Sequence, residues 1–151
     1  YAITAAVDWL YSGVCTRHPD LKVCLSEGGI GWVAGLLDRL DHMLSYHEMY
    51  GTWKALGETL TPAEVFTRNF WFCAVEDQSS FVQYERIGAG NILLEADYPH
   101  CDSTWPHTQR TIREQISVLP DDIVRKVTWE NASRLYQHPV PAAVQQDPNA
   151  Y

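Results

Sequence analysis

The chain has 151 residues, of which 46% are hydrophobic and 20% are charged, a composition that allows a packed core and argues against disorder. Nineteen acidic against eleven basic residues give a formal net charge of −8, which repels nucleic-acid phosphates and anionic headgroups, and the scattered basic residues form no patch. No apolar run approaches the roughly 20 residues that cross a bilayer, so we expect a soluble, cytoplasmic protein with no nucleic-acid and no membrane partner.

The first part of the chain predicts a helix, a strand and a second helix. Apolar residues recur at helical spacing over residues 2–14, and His18-Pro19-Asp20 ends that pattern. Residues 21–25 form an apolar, β-forming run that ends in Ser26-Glu27-Gly28-Gly29, where two glycines permit a tight turn or a close approach of backbone to a ligand. Apolar residues at three- and four-residue steps over 33–44 then predict the clearest helix in the chain.

The middle of the chain predicts a helix, a strand and a further short helix after a connecting segment at 45–60. Thr61-Pro62-Ala63-Glu64 combines a capping threonine, a proline in the first turn and a glutamate that can reach back, which together predict a helix start. The apolar and aromatic run 69–75 predicts a strand. A short helix around residues 80–87 is expected to stop at Gly88-Ala89-Gly90.

The last part predicts one more strand and several helices. The apolar run 91–96 is followed by a polar loop that begins with Asp97, and helices are expected over residues 106–118, from Pro120 onward and around 130–136. From Pro139 the sequence is rich in Pro, Gln, Asn and Ala, so we expect one domain over residues 1–138 and a loose tail over 139–151.

Strands that alternate with helices predict a parallel sheet, because each crossover must return the chain to the same end. Three strands are enough for a small open α/β sheet or for a little under half of an eight-stranded one. Glu27 and Asp97 each follow a strand directly and precede a helix. The carboxyl ends of parallel strands are where such proteins bind ligands, so we expect both carboxylates at one shared pocket.

The four cysteines, Cys15, Cys24, Cys73 and Cys101, are far apart in the sequence and form no C-x-x-C pair. Cys24 and Cys73 lie inside predicted strands. This distribution favours reduced thiols in a cytosolic protein over a disulfide framework.

Three stretches carry a family pattern: 18–29 (HPDLKVCLSEGG), 91–100 (NILLEADYPH) and 131–136 (NASRLY). Together they resemble the amidohydrolase-related family, which includes aminocarboxymuconate-semialdehyde decarboxylase and related aromatic-acid decarboxylases. The resemblance covers roughly residues 1–137 and is specific for the family rather than for one reaction.

The resemblance implies a metal-dependent (β/α)8 TIM barrel in which an early strand supplies a His-x-His pair, a middle strand one more histidine and the last strand an aspartate. By position Asp97 is similar to that aspartate, which implies a role as metal ligand or base. Glu27 stands where many relatives place a catalytic histidine, and we expect it to be a second acid/base group. No His-x-His occurs in the sequence, so we expect this chain to be the C-terminal half of the barrel, a fragment or subunit that associates with the missing half or with itself.

The loop after Asp97 supplies the remaining candidates. His100 is a candidate catalytic group, while Tyr98 and Trp105 are candidate substrate-binding residues. Each also has an ordinary interpretation, since loop histidines are common and a tryptophan beside a proline often simply packs.

Three functions stay open at this point. The first is a metal-dependent hydrolase, in which a divalent ion, zinc or manganese, activates water to attack a small organic substrate. The second is a nonoxidative decarboxylase in which the metal orients a carboxylate substrate. The third is a non-catalytic half-barrel that serves only as a scaffold.

Overall fold

A computed structural model of the chain describes residues 1–46 and 51–146. The helices are α1 (Ala2–Tyr11), α2 (Val14–Arg17), α3 (Val33–Tyr46), α4 (Thr52–Ala55), α5 (Pro62–Asn69), α6 (Tyr84–Ile87), α7 (Thr108–Ile116), α8 (Asp121–Arg125), α9 (Asn131–Leu135) and α10 (Ala142–Gln146). The strands are β1 (Val23–Leu25), β2 (Phe70–Ala74) and β3 (Ile92–Leu94). Short 3-10 segments cover Gln78–Gln83 and Ala89–Asn91, and a π-helical turn, Lys126–Glu130, joins α8 to α9.

The three strands form one parallel sheet in the order β1-β2-β3. Cys24 pairs with Trp71 across the first ladder, and Cys73 pairs with Leu93 across the second. Because neighbouring strands connect through helices, all three carboxyl ends lie at the same edge of the sheet. The prediction of a parallel α/β sheet is therefore confirmed.

The alternation of side chains along β2 divides the protein interior into two parts. On one face, which we call the helix face, Phe70, Phe72 and Ala74 join the large core formed with α1, α3 and α5. On the other, the cysteine face, Trp71 and Cys73 join a much smaller cluster. The members of that cluster are Cys24, Trp71, Cys73, Leu93, Ala132 and Leu135.

Aromatic rings fill the centre of the helix face. Phe66 of α5 stacks on Phe70 with ring centroids 4.5 Å apart, and Trp32 meets Phe72 edge-on at 5.8 Å. Both phenylalanines of the strand are essentially buried. Such pairs add packing energy beyond the apolar area that they bury, so this face fixes α3 and α5 against the sheet.

The start of α5 matches its sequence signal closely. The Thr61 hydroxyl accepts a hydrogen bond from the Glu64 N–H at 3.2 Å, and the Glu64 carboxylate accepts one from the Thr61 N–H at 2.7 Å. This is a capping box with proline in the first turn, as predicted. The capped helix leads directly into β2.

Buried asparagine side chains tie loops to the strands. Asn69 is fully buried and donates to the carbonyls of Pro19 and Leu21 at 3.1 and 2.7 Å, which fixes the approach to β1. Asn131 donates to the carbonyls of Ala89 and Ile92 at 2.7 and 2.8 Å. Since an unpaired buried amide is costly, these contacts specify the loop positions strongly.

Several elements differ in detail from the sequence expectation. The first helix stops at Tyr11, because Gly13 adopts a positive φ of 75° and a separate turn, α2, follows. The helix expected at 80–87 begins as a 3-10 segment. Helix α10 forms one exposed turn within the predicted loose tail, while residues 47–50 of the connecting segment and 147–151 of the tail lie outside the described residues.

The four cysteines are free thiols, as the sequence favours over a disulfide framework. Across residues 1–46 and 51–146, no helix combines the length and apolar character needed to cross a membrane.

Candidate functional site at the carboxyl edge of the sheet

Two candidate carboxylates leave the sheet with an unusual backbone conformation. Glu27, two residues past the end of β1, has a φ of 54°, and Asp97, three residues past the end of β3, has a φ of 55°. Non-glycine residues adopt positive φ rarely and at an energetic cost, so the surrounding structure must hold both in place. Both residues lie at the same edge of the sheet.

Glu27, Asp97 and His100 form one cluster. Each offers a carboxylate oxygen or an imidazole nitrogen, and these atoms all lie within 4.8 Å of one another. The structure thus brings three residues singled out from the sequence into one place, although Glu27 and Asp97 are 70 positions apart. A second group of neighbouring donors, His100, Cys101 and Asp102, is exposed and shares the same histidine.

The His100 imidazole lies between two carboxylates. Its Nδ1 is 2.8 Å from Asp97 Oδ2 and is also paired with Asp102 Oδ1. The hydrogen bond with Asp97, reinforced by the charges of Asp102 and Asp97, raises the pKa of His100 above its ordinary value. The side chain of Asp97 is 16% exposed, against 56% for His100. The imidazole is therefore accessible and is oriented by a more enclosed aspartate.

Glu95 is a residue of this site that sequence reasoning missed. Its carboxylate accepts hydrogen bonds from the Ser26 hydroxyl at 2.7 Å and from the Glu27 N–H at 2.8 Å. Its own N–H donates to the Ala74 carbonyl at the end of β2, at 2.9 Å. Glu95 thus bridges from β3 to the end of β1 and fixes the backbone of Glu27. The only local signal is its position two residues before Asp97, which puts both on one side of an extended chain.

The loop after β1 is fixed by residues that follow β2. Gly29 has a positive φ of 64°, which glycine adopts readily, and the next N–H, that of Ile30, donates to Asp77 at 3.1 Å. The Trp32 indole donates to the Gly28 carbonyl at 2.8 Å. Of the two roles considered for Gly28 and Gly29, the structure therefore gives direct support to the tight turn.

Tyr98 and Trp105 lie beside the cluster as an exposed aromatic pair. Their ring centroids are 5.5 Å apart, and the two side chains are 64% and 62% exposed. The loop between them folds back on the strand end, since the Thr104 N–H donates to the Ala96 carbonyl at 3.1 Å. Large exposed apolar surface next to a polar cluster is typical of a binding site. Their role in binding a substrate stays a prediction.

A comparison with protein families matches residues 1–137 to a family model described as Amidohydrolase. Among curated proteins, the chain is similar to the decarboxylase YanB of Aspergillus niger, with 24% identity over 139 residues, covering 87% of this chain and 35% of YanB.

Two solved structures are similar over most of the chain. The 5-carboxyvanillate decarboxylase LigW from Sphingomonas paucimobilis matches with a TM-score of 0.71 and 29% identity, covering 91% of this chain and 41% of LigW. The amidohydrolase map2389c from Mycobacterium avium subsp. paratuberculosis K-10 matches with a TM-score of 0.68 and 25% identity, covering 86% of this chain and 32% of that protein. The chain thus spans less than half the length of these three relatives.

Proposed function

We propose, from the premise that this chain belongs to the amidohydrolase family, that it forms part of a metal-dependent enzyme that decarboxylates a small carboxylate substrate without an oxidant. The match over residues 1–137 confirms the resemblance found in the sequence. The observation that carries the proposal is the convergence of Glu27, Asp97 and His100 donors at the carboxyl edge of a parallel sheet. Two relatives whose reaction is named, YanB and LigW, are both decarboxylases.

The same proposal interprets the three strands as the C-terminal strands of a (β/α)8 barrel. The similarity to LigW supports this, since it covers nearly all of this chain but 41% of LigW. Within the described residues β1 and β3 are edge strands, each with one unpaired side that a further strand can cover. We therefore expect the working enzyme to complete the sheet through additional strands or through association with another copy.

The residues at the sheet edge fit a divalent cation. Two carboxylates and an imidazole offer the oxygen and nitrogen donors that zinc and manganese accept, and their ligand atoms are close enough to share an ion. Asp97 and Glu27 are the residues that would hold it. When bound, a divalent ion polarises a substrate carboxylate or lowers the pKa of water.

His100 is placed to deliver a proton. Its imidazole is accessible, and the hydrogen bond with Asp97 raises its pKa, which favours the protonated form. In decarboxylation the bond between the carboxylate carbon and its neighbour breaks and carbon dioxide leaves. The imidazolium then supplies the proton that the remaining carbon needs, while Asp97 orients the ring.

Tyr98 and Trp105 complete the proposed site as walls for the substrate. Their exposed rings lie next to the acidic cluster, where a flat, apolar substrate body can contact them while its carboxylate points toward the sheet edge. This arrangement supports a small, unsaturated carboxylic acid as the substrate class.

Hydrolysis is the second candidate, and the similarity to the amidohydrolase map2389c favours it. For that reaction Glu27 would act as the base that takes a proton from an attacking water, a role that a free carboxylate can fill. The same residues thus support either reaction, and the products distinguish the two.

The test measures both products on the complete protein. A panel of carboxylic acids, esters and amides is incubated with the enzyme and one added divalent metal, and carbon dioxide and hydrolysis products are quantified. We expect carbon dioxide release that falls at least about 100-fold in Asp97→Asn, because that variant loses an anionic oxygen and weakens the orientation of His100.

Asp20→Asn is the matched control, since Asp20 is an exposed aspartate that precedes β1 at the opposite edge of the sheet. Its activity should equal that of the wild type. Products of hydrolysis without carbon dioxide would replace the first candidate by the second. An unaltered metal content and turnover in Asp97→Asn would show that Asp97 serves neither reaction, and the absence of any product would leave the scaffold interpretation.

A further inference from the structure

Two cysteines meet on the cysteine face of the sheet, below the carboxylate cluster. The sulfurs of Cys24 in β1 and Cys73 in β2 are 3.6 Å apart. Cys24 is paired in register with Trp71, so Cys73 lies one side-chain repeat further along the same face. Cys73 is 4% exposed and Cys24 is half-buried. Neither contacts Glu27, Asp97 or His100 through a hydrogen bond or ion pair that the structure gives for the described residues.

A tyrosine from the C-terminal part of the chain completes this cluster. The Tyr136 hydroxyl donates to the Cys24 sulfur at 3.4 Å. The hydrogen bond from Cys73, together with the weaker effect of the one from Tyr136, lowers the pKa of Cys24 to about 6. The same hydrogen bond between the two cysteines raises the pKa of Cys73. At neutral pH the pair therefore consists of one thiolate and one thiol that donates to it.

The positions of the two cysteines distinguish between metal binding and disulfide formation. A zinc-class ion in tetrahedral coordination holds each sulfur at about 2.3 Å, which places two sulfurs about 3.8 Å apart. The observed 3.6 Å already matches this spacing. A disulfide needs Cα atoms within about 7 Å of each other, whereas residues two positions out of register on neighbouring strands, as Cys24 and Cys73 are, lie about 7–8 Å apart.

We propose that Cys24 and Cys73 form a two-sulfur site that binds one soft, thiophilic cation of the zinc and cadmium class. The site is independent of the proposed function, because its ligands are thiolates on the strand bodies rather than carboxylates at the strand ends. The Tyr136 oxygen lies beside Cys24 and is available as a further donor, and solvent reaches the half-buried side of Cys24.

The number of protons released on metal binding follows from the protonation of Cys24 and Cys73. Near neutral pH the S–H bond of Cys73 breaks, its proton passes to solvent, and two sulfur–metal bonds form. One proton is therefore released for each ion bound. Below about pH 6 Cys24 also carries a proton, so two protons are released and the affinity falls more steeply with decreasing pH.

The experiment uses the full 151-residue chain carrying Cys101→Ser, reduced and freed of metal, titrated with Cd²⁺ at neutral pH. This substitution removes the sulfur of the exposed group His100, Cys101 and Asp102, whose donor atoms are also close enough to share an ion. Bonds between thiolate sulfur and cadmium give an ultraviolet charge-transfer band that oxygen and nitrogen ligands do not give. We expect the band to saturate at one ion per chain. It should disappear in Cys24→Ser and in Cys73→Ser.

Two further substitutions serve as controls. Cys15→Ser should keep the full band, since this thiol belongs to the helix-side core. Asp97→Asn should also keep the band. Failure of the two-sulfur site can therefore be distinguished from failure of the proposed function. Absence of the band from the Cys101→Ser chain, or a band that survives when Cys24→Ser is added to it, would overturn the proposal.

Peptide mapping on the wild type covers the case in which a serine variant does not fold. Bound Cd²⁺ should protect Cys24 and Cys73 together from alkylation. Equal alkylation of Cys24 with and without cadmium would overturn the site. So would an intact mass that is lower by two hydrogens in the cadmium-treated protein, because it would show that the pair forms a disulfide instead.

Discussion

The two faces of the sheet are built in different ways from the same strands. On the helix face Phe70, Phe72 and Ala74 are sealed by a large core, in which Phe66 and Trp32 contact the strand directly. On the cysteine face Trp71, Cys73 and Leu93 are buried. Their cover is thin and includes the partly buried Ala132 and Leu135 of α9. The first face is an ordinary hydrophobic core. The second carries the two cysteines and leads up to the carboxylate cluster.

Polarity increases along the cysteine face toward the carboxyl edge. Trp71 lies near its lower end, the Cys24 and Cys73 sulfurs follow, and Glu95 lies at the top, where it receives the bonds from the end of β1. Apolar burial on the helix face provides stability, which leaves side chains on the opposite face free to serve binding. Four substitutions test this division of roles.

The largest effect is expected on the helix face. Phe72 is 1% exposed and touches both Trp32 and Phe66, so Phe72→Ala leaves a cavity and should lower the free energy of unfolding by about 3–5 kcal/mol. Cys73→Ala, the next residue on the opposite face, should cost about 1 kcal/mol. Urea denaturation of both variants measures the difference. Equal losses would show that the two faces contribute alike to stability.

A smaller effect is expected where α9 covers the cysteine face. Asn131→Ala removes the amide donors to the carbonyls of Ala89 and Ile92, so it should cost about 1–3 kcal/mol. Because α9 also covers Cys73, that thiol should react faster with a thiol reagent in the variant. Ser133→Ala on the same helix is the control. A loss of stability without faster labelling of Cys73 would show that Asn131 does not hold α9 over the cysteine face.

The sequence predicts this molecule best where the signal is local. The capping box at Thr61 and the apolar periodicity of α3 are written within a few residues, and both helices appear where the pattern puts them. The gathering of Glu27 and Asp97 was also predictable, because a parallel sheet aligns its carboxyl ends.

Contacts between distant strands were not predictable in the same way. Glu95 meets Ser26 across the end of β2, and the Cys24–Cys73 contact depends on the register of two strands between which the described chain has three helices, α3, α4 and α5. A shift of one residue in that register would turn one sulfur to the opposite face. Composition and periodicity do not fix the register, so these pairs are visible only in the folded chain.

The third effect concerns the top of the cysteine face. Glu95→Gln keeps the shape of the side chain but removes its charge, and one of the two bonds to Ser26 and Glu27 loses its acceptor. Since Glu95 holds the backbone of a proposed metal-binding residue, Mn²⁺ affinity measured by calorimetry should fall about 10-fold or more. The free energy of unfolding should change far less than in Phe72→Ala.

Glu76→Gln is the matched control for this substitution, because Glu76 is an exposed carboxylate that follows β2 at the same edge of the sheet. Its Mn²⁺ affinity should equal that of the wild type. An equal loss in both variants would mean that the general negative charge of this edge, rather than the bonds of Glu95, sets the affinity.

The smallest effect is expected at Trp71, which tests whether the cysteine face is optimised for packing. Trp71 and Trp53 are both 7% exposed, but Trp53 Nε1 donates to the Leu60 carbonyl at 2.8 Å, whereas Trp71 Nε1 is buried without a partner in the described part of the chain. Trp71→Phe loses apolar volume but also removes an unsatisfied donor, and these effects oppose each other, so the free energy of unfolding should change by less than about 1 kcal/mol. Trp53→Phe loses volume and a satisfied hydrogen bond and should cost about 1–2 kcal/mol more. If Trp71→Phe lowered the free energy of unfolding as much as Trp53→Phe, the loss of packed volume would outweigh the removal of the unpaired indole donor. The two faces would then differ only in the size of their apolar clusters.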